Sequence, residues 1–416
     1  MRGMFNTINA GDTAWMLFCA ALVFLMTPGL AFFYGGLVRR KNVLSILMQS
    51  LTVVCLVSLQ WVLFGYSLAF GPDHNGWIGT LAWAGLRGVG ADPYIEYGAS
   101  IPHQAFMLFQ MMFAIFTPAL ILGAVAERMK FSAFCLFILL WSTFVYDPTA
   151  HWIWAAGGFL RNAGNLDFAG GIVIHLNAGM AAIAAALVLG KRRGFPKQIA
   201  PPHNLPLTVV GATLLWFGWF GWNAGCTLGA GGLAVNAVVV TQIAAATAAL
   251  TWILLDWIFN KRPTLLGLIT GAVSGLVAIT PAAGYVTLGG TIAIGIGVAL
   301  LGYLPVAVAK EKFGYDDALD VFTVHGLGGM WGAFATGLWA TKSVNANAAN
   351  GLFYGNPGQL AIQLKAILAT TIYSFVVSYL LLKFIDLLIG LRVNEQSELI
   401  GLDLSQHRES GYTLLD

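Results

Sequence analysis

Long apolar runs separated by short basic clusters dominate the chain. A helix that crosses a bilayer needs about 20 mostly apolar residues. Eleven such runs can be read, near 14–38, 43–70, 100–126, 131–150, 170–189, 206–225, 236–259, 264–281, 289–309, 320–341 and 359–389. The pattern predicts an all-α membrane protein, with residues 1–389 forming the helical domain and 390–416 a cytoplasmic tail. The first run has no separate short apolar stretch with a cleavage site, so it is expected to remain as a spanning helix.

Composition agrees. Of 416 residues, 58% are hydrophobic and 9% charged, against roughly 25% charged in soluble domains; the mean hydropathy is +0.77. The basic residues form no stripe with interleaved aromatics, which argues against a nucleic-acid partner. Their placement reads as topology instead. Arg39, Arg40 and Lys41 follow the first run, Arg128 and Lys130 the third, and Lys191, Arg192, Arg193 and Lys197 the fifth. Lys261 and Arg262 follow the seventh, Lys310 and Lys312 the ninth, and Arg392 and Arg408 lie in the tail. Odd-numbered helices therefore all end on one basic side, which predicts an outside N-terminus and an inside C-terminus. Five helices repeated as a second five would be inserted upside down. Such inverted repeats place a site near the midplane between the halves, and helix eleven would follow as a final belt.

Two histidines sit within these runs, His175 in GGIVIHLNAGMAAIAAALVLG and His325 in DVFTVHGLGGMWGAFATGLWA. Ionisable side chains at membrane depth are costly and mark functional sites. They occupy the same ordinal place in each half, on helices five and ten, and predict a facing pair able to hydrogen-bond a small polar solute and relay a proton. A metal centre needs three or four ligands. No HxxxH occurs and no Asp or Glu adjoins either histidine, so neither metal nor cofactor is expected.

Other residues add to this. Phe109 and Phe113 are one turn apart on helix three, Trp154 ends helix four, and Trp219 and Trp222 lie in WFGWFGWNAG on helix six. All fall toward the outer end, where aromatic faces attract a cation or form an interfacial belt. Asp167 and Asp320 precede the two histidines and are expected as helix N-caps, with Asp167 also able to lend negative potential to an entering cation. Glu127 and Arg128 are expected to pair with each other. Gly267, Gly271 and Gly275, and Gly221, Gly225 and Gly229, have the four-residue spacing that lets membrane helices approach closely. Cys19, Cys55 and Cys135 read as small apolar residues.

The stretches TPGLAFFYGGLVRRKNVLS, FQMMFAIFTPALILGAVAERMKFS, LDFAGGIVIHLNAG, WFGWFGWNAG, AITPAAGYV, DDALDVFTVHGLGG and GLRVNEQSELIGLDLSQH occur in this order. In them the chain resembles the Amt/MEP/Rh ammonium transporters, on the Amt branch, over essentially its whole length. The resemblance implies an eleven-helix fold assembled as a homotrimer, with a pore in each subunit, that carries ammonium or ammonia rather than catalysing a reaction. It implies that His175 and His325 are the twin pore histidines, that Phe109, Phe113 and Trp154 recruit ammonium with support from Asp167, and that Trp219 faces the pore. It further implies a tail that couples subunits and, in many bacterial members, contacts PII signalling proteins; the expected setting is a bacterial inner (plasma) membrane. Two positions depart from the family. Trp222 replaces a Phe that stacks on Phe113 as a gate, and Cys226 replaces a Ser whose hydroxyl accepts from ammonium. A thiol is the poorer acceptor, so an ammonium sensor or low-flux signalling member is the alternative reading.

Overall fold

The computed structural model describes residues 8–196, 201–305 and 314–412. Lys197, Lys310 and Lys312, used above for orientation, lie outside these residues, as does the end of the 289–309 run. Among the described residues, eight helices are long and apolar enough to cross a membrane: α1 (Ala10–Leu37), α2 (Arg40–Phe70), α3 (His103–Val125), α4 (Phe131–Asn162), α5 (Gly171–Leu189), α6 (Leu205–Gly225), α7 (Gly232–Asn260) and α11 (Pro357–Ile389). Between them stand two shorter apolar helices, α8 (Leu265–Ile279) and α9 (Leu288–Leu304). A further helix, α10, begins as a π-helical turn at Phe322–Leu327 and runs on as Gly328–Trp339. Every apolar run read from the sequence thus contains a helix among the described residues. The one sheet among them is a two-stranded hairpin, Asp73–His74 against Ile78–Gly79. Buried His151 staples it to the bundle, reaching Ala69 O at 3.0 Å and Asp73 Oδ1 at 2.8 Å.

Short polar side chains set the helix starts, since the first turn of a helix leaves its N–H groups unpaired. Asn9 accepts from the Asp12 N–H, Asn204 from Leu207 and Thr264 from Gly267. Small residues then bring helices together. A Cβ on Gly211 would stand 2.2 Å from the Phe33 nitrogen, so α6 lies directly on α1. The α8 glycine stripe packs on α7, where a Cβ on Gly275 would meet Ala244 O at 2.5 Å and one on Gly271 the Trp252 Cβ at 2.7 Å. Gly225 makes room for an aromatic ring, its missing Cβ lying 2.5 Å from Phe109 Cζ.

The basic face corrects one expectation. Glu127 and Arg128 do not pair. Glu127, buried and in the left-handed region at φ 71°, binds Arg39 at 2.9 Å and Arg192 at 3.4 Å and accepts from Asn42 Nδ2 at 3.0 Å. Arg128 points elsewhere, donating to the carbonyls of Gly190, Ala126 and Asp316. Arg192 also grips Asp316 at 2.8 Å. Burial alone would raise the Glu127 and Asp316 carboxyls, but the Arg39 and Arg192 guanidinium groups outweigh it and hold both below the usual range. The described part of the tail folds under this face. Asp403 accepts from the Leu44 and Ser45 N–H groups, the Leu402 N–H donates to Asn42 Oδ1, and Lys41 donates to the carbonyls of Glu398 and Leu399.

Candidate conduction site

The two histidines lie in matched settings. Each is on a π-helical turn that opens its helix, Gly171–Leu176 for His175 and Phe322–Leu327 for His325; such turns are rare and frequent at functional sites. A carboxylate eight residues earlier holds each turn. Asp167 accepts four backbone N–H groups, from Gly170, Gly171, Ile172 and Val173, at 2.7–3.1 Å. On the second helix Asp317 accepts from Phe322 N–H at 2.7 Å. Asp320, expected as a cap, directly precedes the start of this helix, sits at φ 62° and offers its carbonyl to the Val324 N–H. A glycine four residues after each histidine then lets the helices cross. A Cβ on Gly179 would stand 2.3 Å from Gly326 Cα, and one on Gly329 would stand 3.1 Å from His175 Cβ.

At this crossing the imidazoles meet, with Nδ1 of His175 3.2 Å from Nδ1 of His325 and ring centroids 5.3 Å apart. His175 is fully buried, and its Nε2 has no hydrogen-bond partner among the described residues. Trp219 and Trp222 stack near it, at 5.3 and 5.9 Å between centroids. Trp219 is held by Thr280 Oγ1 at 2.8 Å, and Trp222 by the Ala169 carbonyl at 2.8 Å.

Two cavities approach the pair. One of about 460 Å³ at the basic face is lined by His325 together with Tyr34, Arg192 and Asp320. The other, of about 390 Å³ at the opposite face, is lined by Trp154, Asp167, Cys226 and Arg161. Beneath it lie the fully buried rings of Phe109 and Phe113, 4.7 Å apart and edge to face. Phe113 is 6.0 Å from Trp154 and 4.5 Å from Trp222, the latter at 82°. Trp222 therefore meets Phe113 by an edge. Cys226 donates its thiol to the Trp222 carbonyl at 3.4 Å.

The structure thus brings the sequence-selected residues into one column: Trp154, Asp167 and Cys226 around the opposite-face cavity, Phe109 and Phe113 below, then Trp222, Trp219, His175 and His325. Sequence reading missed Thr280, which orients Trp219, and Phe116, which packs on Trp222 at 5.0 Å. It also missed Gly179 and Gly329, although their equal offset from the two histidines was visible.

A helical bundle built around a buried column of rings, open toward each end, has the form of a membrane transporter. The model of the Ammonium Transporter Family matches residues 14–412. An ammonium transporter of Bacillus subtilis is 52% identical over 97% of this chain and 99% of its own length. Ammonium transporter Amt1 of Archaeoglobus fulgidus is 47% identical over 98% of this chain and 100% of its own. The crystal structure of Saccharomyces cerevisiae Mep2 superposes with a TM-score of 0.87 at 35% identity, over 94% of this chain and 88% of that one. A structure titled Sensor Amt Protein has a TM-score of 0.87 at 28% identity, over 95% and 98%. The chain belongs to the ammonium transporter family, a family of transporters rather than enzymes.

Proposed function

We propose that the protein catches ammonium at the face opposite the basic one, removes its proton near the gate, and passes ammonia along His175 and His325. The observation that carries this reading is the 3.2 Å contact between the two Nδ1 atoms. Ammonium and potassium are alike in size and charge, but only ammonium can give up a proton. A dry apolar path penalises any ion and admits neutral ammonia. One Nδ1 must donate to the other, which leaves one ring an acceptor at Nε2 and its partner a donor there. The pair can thus hydrogen-bond ammonia on both sides and hand on a proton, unless the proton crosses separately.

In this reading the π faces of Phe109, Phe113 and Trp154 each give a cation about 0.5–2 kcal/mol. Cys226 supplies a weak polar contact, Asp167 a fixed negative potential, and Trp222 with Phe113 a gate above Trp219. The chain crosses the membrane eleven times in two inverted halves plus α11, N-terminus outside, in a homotrimer of the bacterial plasma membrane. Its tail is the surface for a PII signalling protein. The sensor reading, motivated by Trp222 and Cys226, has less support, since identity to the structure titled a sensor is 28% against 52% to the Bacillus transporter.

Purified protein in liposomes tests the proposal. Ammonium-evoked flux or current with no response to potassium supports it. Bound ammonium without flux favours a sensor. A double variant, His175→Ala with His325→Ala, that kept both rate and selectivity would overturn the relay.

A further inference from the structure

We propose that the protein binds a small monovalent anion of the size of chloride beside the cation path, between Arg161, Lys342 and Asn165. A cavity of about 530 Å³ opens there, where residues 161–166 face the segment joining α10 to α11. Its lining holds Arg161, Lys342, four asparagines (Asn165, Asn347, Asn350 and Asn356) and no acidic residue. Neither cation forms an ion pair with a carboxylate among the described residues. Arg161 donates one N–H, from Nη1 to the Trp154 carbonyl at 2.7 Å, and Lys342 uses its backbone N–H, to Asn350 Oδ1 at 2.9 Å.

Asn165 is the second, independent observation. It is 9% exposed, and neither its Oδ1 nor its Nδ2 has a hydrogen-bond partner among the described residues. Leaving a buried polar group unpaired is costly, so a carboxamide kept in this wall points to a ligand in the cavity. Two unpaired positive charges and an amide donor select an anion and repel a cation. Neutral amides around the rest of the wall suit a single negative charge better than a polyanion.

The site bears on transport, a consequence that rests on the proposed function. Arg161 and Asn165 also line the neighbouring cavity with Trp154, Cys226 and Asp167. An anion on Arg161 offsets the guanidinium field where the cation must bind, so its occupancy favours ammonium capture.

The test is the thermal midpoint of the purified full chain titrated with chloride, with gluconate keeping ionic strength constant. The wild type is expected to show a saturable rise. Lys342→Gln should shift the half-saturating chloride several-fold upward, and Arg161→Gln with Lys342→Gln at least tenfold. A rise that never saturates, or one of equal size in the double variant, means an adventitious ion only and overturns the site. Asn165→Leu should abolish the rise; should that variant not fold, Lys342→Gln decides. In liposomes, half-saturating ammonium should be several-fold lower in chloride than in gluconate. Intact chloride titration without ammonium flux would sink the transport reading alone, and intact flux with a flat titration would sink the anion site alone.

Discussion

Gly179 and Gly326 meet backbone to backbone where the two histidine helices cross, with room for no Cβ between them: one on Gly179 would lie 2.3 Å from Gly326 Cα. Because the obstacle is backbone, it cannot rotate away. Gly179→Ala is expected to force α5 and α10 apart, costing about 1–3 kcal/mol as other overpacked sites do, and to pull the imidazoles out of contact. The thermal midpoint and ammonium flux should both fall. Gly232→Ala, at a position with open space around it, is the control and should change neither.

In the proposed path Trp222 is the gate above His175, and it is fixed through its indole N–H on the Ala169 carbonyl. Trp222→Phe removes that bond, worth about 1 kcal/mol, and some ring volume. Stability should drop modestly and flux should rise. Unchanged flux at saturating ammonium would show that Trp222 is not the barrier.

Cys226 has a proposed part in capture that a single substitution tests. A serine there would keep the hydrogen bond to the Trp222 carbonyl and present a better acceptor to a cation. A gain of about 0.5–1.5 kcal/mol corresponds to a fall of roughly 2–10-fold in half-saturating ammonium for Cys226→Ser, read from concentration-dependent flux. A half-saturation that stays put would remove Cys226 from the recruitment site.

The ion cluster at the basic face predicts an acid limit. Glu127 and Asp316 are held below their unfolded pKa values by Arg39 and Arg192, against the opposing effect of burial. Their contribution to stability is therefore complete above about pH 5, higher than both unfolded values of about 3.9 and 4.3, and is lost as pH falls through the folded values. Thermal midpoints measured from pH 7 down to 3 should decline at the acid end. Glu127→Gln should lower the midpoint at neutral pH and flatten the acid decline.

What could be read in the sequence follows from physical cost. A histidine in an apolar run stands out because water is absent there, and the positions of the two histidines in the halves foretold that they meet. The aromatic residues were legible as a group, but not their angles, since Trp222 meeting Phe113 edge-on depends on its anchor at Ala169, far away in the chain. One error came from trusting nearness in sequence. Glu127 and Arg128 are adjacent, yet the left-handed turn at Glu127 sends their side chains to different partners. The glycine contacts between α5 and α10 are tertiary, and only their common offset from the histidines hinted at them.

The meeting of the imidazoles through Nδ1 has a further consequence. Suppose the first ring takes a proton at Nε2, passes its own across the 3.2 Å contact, and the second ring releases one from its far nitrogen. Both rings then end as the opposite tautomer, and the donor and acceptor ends of the pair have changed places. A second proton travelling the same way finds a donor where it needs an acceptor. In such a relay the pair would be a wire with a memory of one event, and some step would have to erase that memory before each new cycle.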